Sequence, residues 1–438
     1  KRALFEDFER EKRLSEATSS FVRIKGGEGG RFPYTGTGDV NTYALFAELF
    51  SRVVNPSGRA GVIVPTGVAT DATTAPFFAH LVDEKRLASL FDFENSAPVF
   101  TSVHRSFKFS LLTLGRNEPE ARFAFFLTEP AQLLEPERNF TLSPEQIATI
   151  NPNTKTAPVF RSRWDAELTA KMYRNSEVLL NEAAVGTGNP WGVSYMAMFH
   201  MSNDSALFRT GSQLEKAGFV RDGVDWTSAR MSPAQGELSV EGQDVGSLAL
   251  VGGEPGRQPR YVPLFEAKML SHYDHRAASY GGRGDSRGYR VLPPTETSQH
   301  TDPDYEVEPF YWVSEKDVVA RLRDWKIPAL LVFNKVTGIG NERTLFPTLI
   351  PPVGFGDSLN LLMVHEQGEK YAALYANLSS IVLDFAVRRK VGGVNINFFH
   401  VNQFPVLTPD FYTKERLDLV KESVLELTYT SNSLAPFA

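Results

Sequence analysis

The chain has 438 residues, with 46 Lys and Arg against 52 Asp and Glu and a formal net charge of −6. Apolar residues make up 42% of the chain and aromatic residues 12%, enough for a folded core, which excludes global disorder. The absence of Cys excludes disulfide scaffolds, Cys-ligated zinc and thiol nucleophiles, and the acidic balance argues against a protein that coats nucleic acid through bulk charge, although a local basic cleft is compatible with it.

The first third of the chain alternates predicted helices and strands. After a Gly-rich loop over residues 25–38, apolar residues at three-to-four spacing from Leu45 to Val54 predict an amphipathic helix, which the following Asn-Pro pair ends. The continuous apolar run over residues 62–64 predicts a strand that is buried on both faces of a parallel sheet.

Later segments extend this α/β pattern. Thr70 or Asp71 can cap a second helix that reaches about Leu81. Segments rich in Phe, Leu and Val then predict three strands, over residues 87–93, 106–114 and 122–127. This order predicts one half of a doubly wound, Rossmann-like sheet with an antiparallel edge. Half a sheet would leave the strand over residues 61–64 at an open edge.

The composition changes after residue 128. Residues 129–160 are rich in Pro and polar residues and predict a linker, and residues 161–438 predict a mixed α+β region with long loops. Within that region the predicted strands cover residues 329–333, 344–350 and 360–364, and the predicted helices cover residues 371–387 and 414–427. The domain prediction is therefore residues 1–128, a linker over residues 129–160, and residues 161–438.

Several common catalytic motifs are absent from the sequence. There is no His-Glu-x-x-His motif and no Cys/His cluster, so we expect neither a metal hydrolase nor a metal site. There is also no Gly-x-Ser-x-Gly elbow and no Gly-x-Gly-x-x-Gly dinucleotide fingerprint. No apolar run approaches the roughly 18–20 residues that span a bilayer, and the charged start is no signal peptide, so we expect a soluble, cytoplasmic protein.

Four segments follow one another in the first predicted domain, over residues 38–48, 58–67, 92–95 and 99–112. In order and spacing they resemble the later motifs of the gamma-class, TaqI-like adenine-N6 DNA methyltransferases. The resemblance implies that Phe100 stacks on a flipped target adenine and that Phe46 lies against the adenine of the cofactor S-adenosylmethionine. Core packing is the alternative for both, favoured for Phe46 because Leu49 and Phe50 share its helical spacing.

The rest of the chain carries further pieces, at residues 190–209, 263–276, 340–351 and 384–406. Together they look similar to the target-recognition region of large single-chain methylases from restriction–modification and phage-defence systems. The resemblance therefore implies the C-terminal half of a methyltransferase domain, followed by an α+β domain that recognises double-stranded DNA.

The sequence departs from the family in two motifs. It has no Gly-rich loop for S-adenosylmethionine and no Asn/Asp-Pro-Pro-aromatic loop to bind the adenine amino group, since Asn55, Asn151 and Asn189 each precede only one Pro. The chain begins at Lys1 without Met, and both ends read like cuts through a longer protein. We therefore expect the catalytic loop in an upstream half or a partner subunit, and no methylation by this chain alone.

Three groups of cations are candidate DNA contacts, because Arg and Lys anchor phosphates and Arg reads base edges. The first lies in a basic stretch interleaved with Tyr, and the others lie near residues 343 and 388. The candidates are Lys268, His275, Arg276, Arg283 and Arg287, then Arg343, and then Arg388, Arg389 and Lys390. A solvated surface loop is the alternative for the first group, and complementing a helix dipole is the alternative for the last.

The leading hypothesis is a fragment of a site-specific adenine-N6 DNA methyltransferase. It would contribute a wall of the target-base pocket and DNA recognition, with S-adenosylmethionine bound in the larger protein. The alternative is a non-catalytic DNA-specificity module that acts with a separate enzyme. A third hypothesis is an α/β transferase that acts on something other than DNA.

Overall fold

The computed structural model describes residues 2–23, 30–97, 99–228, 259–284, 286–288, 291–322, 325, 327–337, 341–364, 369–391 and 394–438. The chain forms two compact units. The first comprises residues 1–189, 385–393 and 397–407, and the second comprises residues 190–384, 394–396 and 408–438. Neither unit is therefore a single stretch of sequence.

The described helices and strands follow in chain order. The helices are α1 (Arg2–Arg23), α2 (Thr42–Val53), α3 (Gly67–Thr70), α4 (Ala75–Asp83), α5 (Pro144–Ile150), α6 (Arg163–Arg174), α7 (Gly211–Lys216), α8 (Thr297–His300), α9 (Glu315–Arg321), α10 (Glu369–Ser379), α11 (Ile381–Arg388), α12 (Phe398–Val401) and α13 (Lys414–Thr428). The strands are β1 (Ala60–Pro65), β2 (Leu87–Glu94), β3 (Lys108–Leu114), β4 (Ala121–Leu127), β5 (Phe140–Leu142), β6 (Glu177–Val178), β7 (Val193–Met196), β8 (Phe219–Asp222), β9 (Asp225–Ser228), β10 (Arg260–Phe265), β11 (Tyr311–Ser314), β12 (Leu330–Asn334), β13 (Pro347–Ile350), β14 (Gly354–Phe355), β15 (Leu359–Val364) and β16 (Pro405–Val406).

The main sheet of the first unit is mixed, in the order β1-β3-β2-β4-β5. Strand β3 runs antiparallel to both of its neighbours, whereas β2 and β4 are parallel. Helices α4 and α5 approach the sheet where Leu81 and Ile147 line one crevice together with Leu87 and Leu142. The prediction of an α/β fold is confirmed at this level, and the doubly wound, Rossmann-like arrangement stays a prediction.

Strand β1 lies at the open edge that was expected, but its pairing direction and burial differ from the prediction. Among the described strands it pairs only with β3, and this pairing is antiparallel, whereas a parallel sheet was predicted. The Ile63 side chain is 59% exposed, and only Val64 is fully buried. The prediction of burial on both faces was wrong, because a continuous apolar run does not reveal whether a neighbouring strand or helix covers it.

Residues 129–160 carry regular structure of their own. Strand β5 pairs antiparallel with β4, and the Phe140 ring lies 5.8 Å from the ring of Phe123. Helix α5 begins with a capping box, in which Ser143 accepts from the Gln146 N–H and Gln146 accepts from the Ser143 N–H. These contacts attach the segment to the first unit.

The second unit contains two larger sheets. Strands β11, β10, β9 and β8 form one antiparallel sheet, to which β14 adds by parallel pairing with β10. Strands β13, β12, β15 and β7 form the other, also antiparallel. A shared apolar core draws on both sheets, through residues such as Phe265, Phe355, Val332 and Leu361. Among the described residues, no helix combines the length and apolarity needed to cross a membrane.

Two helix predictions were wrong in detail. The helix expected after Thr70 or Asp71 begins at Ala75, with Thr74 at its N-cap, because Thr70 already ends the short helix α3. The helix expected over residues 371–387 is two helices. Ser380 separates them, and its hydroxyl accepts a hydrogen bond from the Leu383 N–H at 3.1 Å, which starts the second helix. The helix predicted over residues 414–427 is α13.

The open edge of β1 makes a testable prediction. An apolar edge strand without a charged side chain is a template for pairing with another chain. We expect Ile63→Lys to lower self-association, measured by light scattering at rising protein concentration, while the free energy of unfolding changes by only about 0.5 kcal/mol. Val64→Lys is the buried control and should destabilise the fold. Equal self-association of Ile63→Lys and wild type would contradict the prediction.

Candidate functional site

The loop between β2 and β3 is held by one buried asparagine. Asn95 follows β2 and is fully buried. Its amide Nδ2 donates to the carbonyls of Phe100 and Val103, both at 2.9 Å, and its Oδ1 accepts from the Phe100 N–H at 3.1 Å. Its own backbone N–H donates to the Phe107 carbonyl at 3.0 Å. These four bonds fix the course of the loop.

Phe100 lies on this loop with part of its ring open to solvent. Its side chain is 37% exposed, and the ring packs edge-to-face on Phe109 with centroids 4.9 Å apart. Phe109 in turn stacks on Phe93 at 5.4 Å. The side chains of Val103 and Phe107 are exposed on the same loop. Phe100 is therefore the outer member of an aromatic stack, not a residue enclosed in a core.

A buried carboxylate lies beneath the same end of the sheet. Asp92 accepts hydrogen bonds from the hydroxyls of Thr66 and Ser110 and, at 3.4 Å, from the Phe126 N–H. Burial raises the pKa of Asp92, and the Thr66 hydrogen bond opposes that rise in part. Thr66 follows β1, Ser110 lies in β3 and Phe126 lies in β4. Asp92, which lies in β2, therefore connects the ends of four strands. Phe126 has a φ of +58°, an unfavourable conformation for a bulky side chain.

Phe46 lies on an exposed face of α2. Its side chain is 56% exposed, and its ring stacks on Phe50 with centroids 6.1 Å apart. It is therefore not a core residue, and one face of the ring could contact an adenine. A single ring does not make a cofactor site, however, and the sequence lacks the Gly-rich loop that would hold S-adenosylmethionine. This chain by itself does not fit that cofactor.

Two of the predicted DNA contacts converge on a buried carboxylate in the second unit. We call Glu266, Lys268, Tyr280 and Arg287 the Glu266 cluster. The Tyr280 hydroxyl donates to Glu266 Oε1 at 3.1 Å, and Arg287 Nη2 and Lys268 Nζ lie 3.2 and 3.6 Å from Oε2. Lys268 Nζ also lies 4.9 Å from the centroid of the Tyr280 ring. Two cations against one anion leave the cluster with formal positive charge.

Arg283 and Arg343 have different surroundings. Arg283 is half-buried, three residues after Tyr280, and its backbone N–H donates to the Tyr280 carbonyl at 3.2 Å. Arg343 is half-buried and instead influences His272, whose pKa is lowered to about 4 by burial and then by the Arg343 charge. Tyr289 and Arg290, in the same basic stretch as Arg283, lie outside the described residues.

His275 and Arg276 are buried and have internal partners. The Arg276 guanidinium donates to the carbonyls of Asp302, Tyr305, His300 and Thr430. His275 is fully buried, with Nε2 3.2 Å from the hydroxyls of Ser431 and Ser433. The two side chains thus connect the segment after α13 to other parts of the second unit. A phosphate could not reach Arg276 without breaking these bonds, so neither residue enters the proposal below.

The third group of cations is also engaged within the fold. Arg389 pairs with Asp165 at 2.9 Å and lies 3.9 Å from the Phe385 ring. Lys390 is buried, and its ammonium donates to the Ile150 carbonyl at 2.8 Å and to the Asn151 side chain. Burial lowers the pKa of Lys390 well below its usual value. Arg388 is half-buried, and the two glycines after Val391 lie outside the described residues.

Sequence reasoning missed several features. Asn95 and Asp92 lie in the resembling segment over residues 92–95, but the sequence indicates no role for them, because their hydrogen-bond partners lie on other strands or across a loop. Sequence reasoning also missed a cavity of about 230 Å³ in the second unit, which Tyr273 and Tyr375 line together with side chains of α13. Tyr273 has a φ of +68° in a tight turn, which no local pattern signals.

Among the described residues, no group of three or more His, Asp or Glu is placed to hold a metal ion.

Comparison with known proteins gave matches among solved structures only. No protein-family model and no curated protein matches the chain. A modification subunit of a type I restriction enzyme from Vibrio vulnificus is 17% identical over 28% of this chain and 33% of that one, with a TM-score of 0.22. A type I restriction–modification methyltransferase subunit from Streptococcus thermophilus is 15% identical over 30% and 34%, with a TM-score of 0.24. The type IIG restriction endonuclease BpuSI is 12% identical over 90% and 45%, with a TM-score of 0.31.

The chain spans between one third and one half of the length of these three proteins. Their TM-scores are too low for the likeness to carry an argument about function.

The buried histidine makes the second unit sensitive to acid. Burial, followed by the charge of Arg276, lowers the pKa of His275 from 6.5 to about 3. Glu306 lies 3.9 Å from Nε2, and burial raises the pKa of its carboxyl group. Between pH 6.5 and pH 3 the unfolded chain therefore binds a proton that the folded chain does not. The free energy of unfolding decreases as the pH is lowered through this range.

At pH 5 this linkage costs about 2 kcal/mol for His275. We expect His275→Gln, which keeps a polar group at the position of the ring, to lose about 2 kcal/mol less unfolding free energy than wild type between pH 7 and pH 5. Urea unfolding at the two pH values measures the difference, and the other histidines contribute equally to both proteins. An identical loss in the two proteins would contradict a neutral, buried His275.

Proposed function

We propose that this chain is part of a site-specific, S-adenosylmethionine-dependent adenine-N6 DNA methyltransferase of a restriction–modification or phage-defence system. The first unit would supply one wall of the pocket for the target base, and the second unit would bind double-stranded DNA. The observation that carries the proposal is the Phe100 ring, partly exposed on a loop that Asn95 fixes. Its position in the sequence is the one that the resemblance assigns to base stacking.

The four resembling segments also support the proposal by folding together. Residues 38–48 lead into α2, residues 58–67 contain β1, residues 92–95 end β2, and residues 99–112 form the loop and the start of β3. Strands β1, β3 and β2 are neighbours in one sheet. Segments that are separate in the sequence thus build one structural feature, with Phe100 near the end of β2.

The chemistry of the loop suits an extruded base. A base swung out of the duplex costs a few kcal/mol, and stacking on an aromatic ring returns roughly 1–3 kcal/mol. Phe100 offers a ring backed by Phe109, and Val103 and Phe107 extend the apolar surface around it. Arg105, exposed on the same loop, could contact a flanking phosphate.

The rest of the enzyme would come from outside this chain. The bound cofactor supplies the methyl group, and this chain lacks the loops that hold it and the adenine amino group. The residues present would orient the base and exclude water from one side of it. The open edge of β1, with Ile63 exposed, is suited to pairing with a strand of an upstream half or of a partner subunit.

In the second unit, the Glu266 cluster is the proposed DNA contact. Glu266 holds the ends of Lys268 and Arg287 close together, and Arg287 also lies 5.2 Å from the Tyr311 ring. A fixed pair of cations beside aromatic rings can bind a phosphate without first losing side-chain freedom.

A non-catalytic specificity module is the second candidate function. The Glu266 cluster favours it, because it could bind DNA without any contribution from the Phe100 loop. Isothermal titration with S-adenosylmethionine, using this chain together with the polypeptide that supplies the missing loops, separates the two functions. Cofactor binding by the complex supports the methyltransferase, and DNA binding without cofactor affinity supports the module.

The first test concerns Phe100. We expect Phe100→Ala to lower the preference of the chain for a duplex with a mismatched, easily extruded adenine over a matched duplex by roughly 5- to 150-fold, since about 1–3 kcal/mol of stacking is lost. Competition binding measures the ratio, and Phe100→Trp should keep it. Phe107→Ala removes an exposed ring from the same loop and is the matched control. An unchanged ratio in Phe100→Ala would refute the pocket assignment.

The second test concerns the Glu266 cluster. We expect Lys268→Gln/Arg287→Gln to weaken binding to all duplexes alike and to reduce the slope of log affinity against log salt by about 1.8, the value for two phosphate contacts. Lys171→Ala/Arg174→Ala, on the exposed face of α6, carries the same charge change in the first unit and is the control. Equal salt slopes in the two double variants would exclude the cluster as the phosphate contact.

A further inference from the structure

The Asn95 side chain uses both of its amide donors and its oxygen acceptor in hydrogen bonds to the loop. A primary amide has two N–H donors and an oxygen acceptor. Both donors are directed to loop carbonyls, those of Phe100 and Val103, and the oxygen accepts the Phe100 N–H. The Val103 N–H closes a turn by donating to the Phe100 carbonyl at 3.2 Å. One side chain thus replaces the backbone partners that a strand would provide.

Phe100 is the residue most constrained by this arrangement. Asn95 binds both its N–H and its carbonyl, so the backbone of Phe100 is held on both sides of its Cα atom. The ring then has only its two side-chain torsions left, and contact with Phe109 restricts those. An exposed apolar side chain on an unrestrained loop would instead fold down onto the neighbouring apolar surface.

We infer that Asn95 is a positioning residue, which sets the direction in which Phe100 presents its ring to the target base. The inference rests on the function proposed for Phe100. Asn95 itself is buried and does not touch DNA. Its effect on base recognition would therefore pass entirely through Phe100, because a ring that is already in place pays less ordering entropy on binding.

Asn95→Asp is the most informative substitution. It keeps the shape and the oxygen that accepts the Phe100 N–H, but it replaces both donors with an oxygen that faces two carbonyls. Asn139 offers a matched control, because its Nδ2 also donates to two carbonyls, those of Leu133 and Glu135, each at 2.9 Å in another loop of the first unit. Asn139→Asp makes the same chemical change away from Phe100.

We expect Asn95→Asp to lower the preference for the mismatched-adenine duplex by about tenfold, within the range for losing one stacked base, while affinity for matched duplex stays within about twofold. Amide hydrogen exchange over residues 99–107 should accelerate, with the remaining residues of the first unit unchanged. Asn139→Asp should leave both readouts as in wild type. Should Asn95→Asp fail to fold, Asn95→Ser removes the same two amide donors without adding charge.

A double-mutant cycle separates positioning from general stabilisation. If Asn95 acts through Phe100, the variant Asn95→Ser/Phe100→Ala discriminates between the duplexes no worse than Phe100→Ala alone. If the losses of discrimination from the two substitutions add, the inference is overturned. It is also overturned if Asn95→Asp keeps full discrimination while Phe100→Ala loses it. Either result leaves the proposed function standing. Full discrimination in Phe100→Ala would instead reject the function proposed for the ring, and the role of Asn95 in base recognition with it.

Discussion

Buried side chains that satisfy main-chain groups are the interaction on which the described structure depends. A buried backbone N–H or carbonyl without a partner is costly, and outside helices and strands something else must pair with it. Asn95 does so for the Phe100 loop, Arg276 for four carbonyls of the second unit, and Lys390 for the end of α5. Each of these polar residues connects segments that would otherwise have no regular structure to hold them.

This constraint decides which cations remain for a ligand. The positive charges of Arg276, Arg389 and Lys390 are directed to carbonyls, to Asp165 or to Asn151, inside the fold. Lys268 and Arg287 are also paired, but their shared partner Glu266 leaves one excess positive charge next to aromatic rings. For the DNA binding proposed here, the local charge balance around one buried carboxylate therefore matters more than the formal net charge of the chain.

The same principle separates the two parts of the proposed function. In the first unit, hydrogen bonds of Asn95 and Asp92 keep one end of a mixed sheet rigid, and an aromatic stack ends at the surface in Phe100. In the second unit, a carboxylate holds two cations in place. In the proposed function, the methyl transfer itself would depend on loops for the cofactor and the amino group that are not in the sequence. The two arrangements would hold DNA in a fixed position for that transfer.

The sequence by itself determined the elements whose signal is local. Segments rich in Phe, Leu and Val located β2, β3 and β4, and apolar spacing located α13, each to within about two residues, because these signals lie within the element itself. The sequence also indicated the order of segments on which the resemblance rests. Tertiary structure decided which residues are buried and which partners they have. Strand β1 lies at an edge because no described strand pairs with its outer side. Arg276 is buried because the fold surrounds it with carbonyl groups, including that of Thr430, which is distant in the sequence. A charged residue has the same letter whether it faces solvent or a buried carbonyl, so only the folded chain distinguishes the two.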